Sequence, residues 1–104
     1  MLMLAWTSVS KREDADRLAT NSVAAGLAAC VQIDGPITSY YKWEGRTERT
    51  EEFRLTFKTL PAHLQALEIL ILDHHPYSTP EWIVCATTQV SEKYLSWART
   101  SAHS

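Results

Sequence analysis

Glycine is scarce, three residues in 104, and Gly26, Gly35 and Gly45 lie far apart. That spacing excludes a glycine-rich phosphate loop, whose backbone amides must converge within one tight turn. Cysteine is rarer still. Cys30 and Cys85 form no C-x-x-C pair, so they are expected as buried thiols in a reducing cytoplasm rather than as a disulfide framework. The four histidines show no H-x-H or H-x-x-x-H spacing, which argues against structural zinc. No G-x-S-x-G elbow and no Cys-His or Ser-His arrangement supports nucleophilic catalysis; an enzyme is not expected, and no organic cofactor is signalled. Neither sign of charge dominates: ten Lys and Arg against twelve Asp and Glu leave a formal charge of −2. A nucleic-acid module would carry a basic face, so that partner is excluded. No apolar run approaches the ~20 residues that span a bilayer, and no membrane partner is expected. The N-terminal Met1-Leu2-Met3-Leu4-Ala5-Trp6 has no basic region before it and no cleavage site after it, so a cytoplasmic location is expected.

What is present is ordinary globular material: 45% apolar, 21% charged and 10% aromatic residues, with no linker or repeat. One domain over residues 1–104 is expected. Leu2 to Thr7 is a short apolar run that fits a strand buried on both faces. Ser10-Lys11-Arg12-Glu13 reads as a capping box. Ala15, Leu18, Ala19, Ser22, Ala25 and Gly26 then follow helical spacing over residues 11–25, with Gly26 as the left-handed stop. From Ala29 the period becomes two. Gly35-Pro36 interrupts the ladder as a bulge or kink, the strand resumes through Trp43, and Glu44-Gly45-Arg46 turns it back through Phe53, Leu55 and Phe57. This predicts a long hairpin over residues 29–59. Pro61 suits a helix start, and Leu64, Leu67 and Ile71 carry that helix to His74-His75-Pro76. Glu81 to Gln89 reads as a fourth strand and Ser91 as the cap of a last helix bearing Tyr94, Leu95 and Ala98. The order is βαββαβ plus a C-terminal helix, an α+β ferredoxin-like sandwich with an extended β2–β3 hairpin.

The first and fourth strands are apolar at both parities, in Leu2 to Trp6 and in Trp82 to Ala86. A sheet with one wet face would alternate instead. Leaving such side chains in water forgoes about 1.5–3 kcal/mol each and makes an adhesive patch, so a closed homo-oligomer is expected. The hairpin end, with Tyr40, Tyr41 and Trp43, is suited to pairing with a neighbour.

A set of short segments carries a resemblance over nearly the whole chain. They are Leu27-Ala28-Ala29-Cys30, Ser39-Tyr40-Tyr41, Trp43-Glu44-Gly45, Glu48, Glu52 and Lys58-Thr59. His75-Pro76-Tyr77, Pro80-Glu81 and Tyr94-Leu95-Ser96-Trp97 complete it. Together they resemble the CutA family of divalent-cation tolerance proteins. The resemblance implies a trimer of ferredoxin-like subunits with a sheet-lined centre and crossing hairpins, similar to the PII signalling proteins. It also implies a role in tolerance of copper or another divalent metal, with no reaction attached. Family members with a described copper site use an adjacent His pair and a Cys at the end of the first strand. The pair corresponds to His74-His75, and the Cys position to Trp6.

Each candidate has a structural alternative. For His74 and His75 the alternatives are metal binding by one of the two, acting across an interface, or a helix C-terminus where imidazole bonds the last carbonyls. Adjacent side chains diverge, so one ion does not take both rings from one chain. Tyr41, Trp43, Glu52, Lys58, Tyr77 and Glu81, with Tyr40 and Trp97 beside them, either line an intersubunit cleft for a small ligand or anchor the interface itself. The function expected is divalent-metal tolerance by binding; the alternative is a PII-like trimeric sensor or scaffold for a small ligand or protein.

Overall fold

The computed structural model describes residues 1–101. The chain runs β1 (Met3–Val9), α1 (Arg12–Ala24), β2 (Cys30–Trp43), β3 (Arg46–Thr59), a 3-10 turn (Pro61–His63), α2 (Leu64–His74), β4 (Ile83–Ala86) and α3 (Glu92–Ser101). The strands form one antiparallel sheet in the order β2-β3-β1-β4. The ferredoxin-like expectation therefore holds.

Alternation along the strands builds the core. Ala5 and Val9 of β1, Leu55 and Phe57 of β3, and Leu18, Leu67 and Ile71 of the two helices are buried together, with Val31, Ile33 and Val84 packed against them. The opposite sheet face carries Leu4, Trp6, Ile83 and Cys85, in register as Leu4↔Cys85 and Trp6↔Ile83. Neither Leu4 nor Trp6 is fully buried, and Ile83 is 53% exposed. The double-sided burial expected of β1 and β4 is thus absent within one chain: helices cover one face only. Cys85, expected buried, is exposed and Cys30 half-buried, because both sit on that second face.

Two local geometries shape the hairpin. Trp43 pairs with Arg46, leaving Glu44 (φ 50°) and Gly45 (φ 79°) as a two-residue turn of the positive-φ kind that matches strand twist. At Gly35-Pro36, a cis peptide, β2 places two residues opposite Phe53 alone, between the pairs Asp34↔Arg54 and Ile37↔Glu52. Gly35 is obligatory there: its φ is +145°, and a Cβ would stand 2.8 Å from the Glu52 carbonyl oxygen. Beyond Val9↔Phe53 the hairpin has no third strand, so residues 37–52 project as an arm and the molecule measures 46 × 26 × 22 Å.

Helix α1 starts at Arg12 with Lys11 as N-cap and no side-chain cap bond. The Ser10–Glu13 capping box is therefore not formed. Gly26, at φ 72°, ends the helix region as expected. The fourth strand is shorter than expected, four residues paired with Met3–Trp6 and followed by an irregular run after Ala86. Past α2, the segment 75–82 crosses the end of β1 on its way to β4. No helix among the described residues is long and apolar enough to cross a membrane.

Candidate functional site

Where segment 75–82 passes β1 and the base of the arm, a cleft of about 830 Å³ opens. Its walls come from both hairpin strands, through Tyr41, Trp43, Glu48 and Glu52, and from the crossing segment, through Tyr77 and Glu81. The bulge accounts for the hairpin's contribution. Its extra residue shifts the phase of β2, so Ser39, Tyr41 and Trp43 share a face with Thr50, Glu48 and Arg46. Without it the two aromatic rings would lie on the other side.

Glu52 sits at the base, only 8% exposed. Tyr77 Oη donates to Glu52 Oε2 at 2.8 Å and Ser8 Oγ donates to the same oxygen at 3.3 Å. Burial, and the bond to Glu52, push the Tyr77 phenol up to about 12, so it stays a donor at neutral pH. The ion pairs among the described residues, Arg12–Asp16, Arg17–Asp14 and Arg54–Asp34, all lie elsewhere.

The two histidines part company. The Tyr77 backbone N–H donates to His75 Nδ1 at 3.1 Å, so that nitrogen carries no proton. Nε2–H then faces the Ser8 carbonyl oxygen and Thr7 Oγ1, both at 3.0 Å, while Thr7 Oγ1 donates onward to the Glu81 carbonyl at 2.7 Å. Burial holds His75 below the usual imidazole range, partly offset by the Ser8 carbonyl. Its ring also packs on Tyr77, centroids 4.8 Å apart. Both nitrogens are committed to holding the crossing segment. His74 instead lies on the surface, and its Nδ1 donates to the Leu70 carbonyl at 2.9 Å. That is the helix C-terminal bond weighed from the sequence, and it uses only one of the two ring nitrogens.

Of the residues expected around a cleft, Tyr40, Tyr41, Trp43, Glu52, Tyr77 and Glu81 are brought together. Lys58 and Trp97 are not. Lys58 pairs with Leu4 and Cys30 at the far end of β3 and lies over the Tyr94 ring, 5.5 Å from its centroid, while the Trp97 ring packs at a tilt against Tyr94. Trp6 lies on the open sheet face, in register with Thr56 on one side and Ile83 on the other. Glu48, Ser8, Ser10 and Thr50 also line the cleft, outside the set expected there. Ser10 was read as a helix cap, and only the parity of β3 pointed to Thr50.

A model of the family described as CutA1 divalent ion tolerance protein matches residues 3–101. A curated relative, the divalent-cation tolerance protein CutA of Yersinia pestis (strain Pestoides F), is 42% identical over 84% of this chain and 73% of its own. Among solved structures, CutA from Synechococcus elongatus PCC7942 is 42% identical with a TM-score of 0.93, covering 97% of this chain and 89% of that one. CutA1 from Ehrlichia chaffeensis is 30% identical with a TM-score of 0.94, covering 97% and 94%.

Proposed function

Because the chain belongs to the CutA1 divalent ion tolerance family, we propose that it handles divalent cations, copper foremost, by binding rather than by catalysis, as a PII-like homotrimer in the cytoplasm. The observation that carries the metal contact is His74: the residue is exposed, its Nδ1–H is tied to the Leu70 carbonyl, and no hydrogen bond to Nε2 is found among the described residues. A backbone carbonyl on the far nitrogen is the usual support of a metal-bound imidazole, and copper(II) is the divalent ion that imidazole holds most strongly.

One chain does not complete such a site. Groups of three or more His, Cys, Asp or Glu placed to hold an ion do not occur among the described residues. Trp6, at the position of the family's Cys, offers an N–H donor and no lone pair. The remaining donors therefore come from another copy. The uncovered apolar row of Leu4, Trp6, Ile83 and Cys85 supports assembly, because a closed oligomer would cover it.

Copper titration by calorimetry tests the histidine assignment. His74→Ala is expected to lower affinity at least about tenfold, the scale of one lost ligand or its support. His75→Ala is expected to keep the stoichiometry while lowering stability. Equal affinity in wild type and His74→Ala would remove this contact.

A second reading has its own observation. The aromatic cleft beside the buried Glu52 supports a sensor that takes a small ligand. A thermal-shift screen of metabolites checks it, since a specific ligand raises the melting temperature by mass action.

A further inference from the structure

The cleft holds a charge without a counter-charge. Glu52 is over nine-tenths buried, and its two hydrogen bonds, from Tyr77 and Ser8, both end on Oε2. Oε1 accepts no hydrogen bond among the described residues. No Lys or Arg stands among the described residues lining the cleft. Oε1 is not among the buried atoms left without a partner, so it meets the solvent of the cleft, where an ammonium would replace water with a charge-assisted hydrogen bond. The site is built to receive positive charge.

Its shape says which kind. Along one face of the arm the paired rows run Tyr41↔Glu48, Ser39↔Thr50 and Ile37↔Glu52. Four residues of strand separate the backbones of the two glutamates, about 14 Å at ~3.4 Å per residue. No group of three metal-ligating side chains converges here among the described residues, so one small ion cannot satisfy both carboxylates. Ser39 and Thr50 put hydroxyl acceptors midway, and Tyr41 and Trp43 supply ring faces that attract ammonium groups and cover methylenes.

We propose that this cleft binds a linear aliphatic polyamine, with one terminal ammonium on Glu52, the other on Glu48 and the chain between them along the Ser39–Thr50 row. The inference rests on the reading of the cleft as a small-ligand site and names the ligand class. It is independent of His74.

Calorimetric titration with spermidine, and with 1,4-diaminobutane as the shorter probe, tests it on the assembled wild-type protein. Spermidine is expected to bind saturably at one per cleft. Glu52→Gln, its fold checked by circular dichroism, is expected to weaken both probes at least about tenfold, the scale of one charge-assisted hydrogen bond. Glu48→Gln is expected to weaken spermidine while leaving the short diamine, which cannot span the two carboxylates, unchanged. Equal spermidine affinity in wild type and Glu52→Gln would overturn the proposal. So would loss of binding combined with a change in oligomer mass for Glu52→Gln, which would make the counter-cation a basic side chain of a second copy. Silence towards both amines while another metabolite raises the melting temperature would overturn the polyamine and keep the small-ligand cleft. Silence towards every compound would end both.

Discussion

His74 and His75 are chemically identical neighbours with opposite environments, and the difference has a measurable consequence. The Tyr77 N–H on one nitrogen of His75 and the Ser8 carbonyl on the other suit only the neutral ring. Protonating Nδ1 would set two N–H groups against each other. The folded value is depressed by burial, so the unfolded chain, with its imidazole near ~6.5, takes up the proton first as pH falls. The stabilisation is complete above about 6.5 and is lost as pH falls through that value towards the lower folded one. The denaturant midpoint of wild type is therefore expected to fall between about pH 7 and pH 5, more steeply than that of His75→Asn. Superimposable pH profiles would place the titration elsewhere.

At the scale of elements, the hairpin owes its form to the bulge. Gly35→Ala would drive a methyl group against the Glu52 carbonyl oxygen and, at 3.1 Å, the Phe53 Cα in a backbone conformation that side chains rarely adopt. A loss of about 1–3 kcal/mol is expected, the range for such strain, read from the shift in urea midpoint. An unchanged midpoint would mean that β2 re-registers without cost. Periodicity made the elements themselves legible: Leu18, Leu67 and Ile71 are core residues at helical spacing, and Leu55 and Phe57 are core residues at strand spacing. The site was less so. Glu51 and Glu52 are adjacent carboxylates, and their side of the sheet follows from strand register and from a tyrosine 25 residues away. Lys58 looked like a cleft residue because strand composition does not say how far along the strand the cleft extends; it stands six residues from Glu52, about 20 Å. Ser10 and Glu13 had the spacing of a capping box, but the helix begins later, at Arg12.

For the whole molecule, the decisive imbalance is between a sheet with two apolar faces and helices enough for one. Ile83, 53% exposed on the uncovered side opposite Trp6, lies at the centre of the proposed trimer contact. Ile83→Asp is expected to place an unpaired charge there and shift the sedimenting species to monomer, since truncating or charging a central apolar contact costs over about 2 kcal/mol per site. A variant that sediments with wild type would move the contact off this face. The proposed trimer contact and the proposed ligand cleft are separable, and the bulge is the reason. Inward of it the pleat is tied to the core through Phe53, Leu55 and Phe57. Outward of Ile37↔Glu52, as far as the Glu44-Gly45 turn, the two strands pair only with each other. Inserting or deleting one matched pair per strand would lengthen or shorten the arm by two residues' rise in each leg while returning every ring and carboxylate to its own side. The separation of the two carboxylates, and so the length of the proposed ligand, is adjustable in discrete steps that leave the buried core untouched.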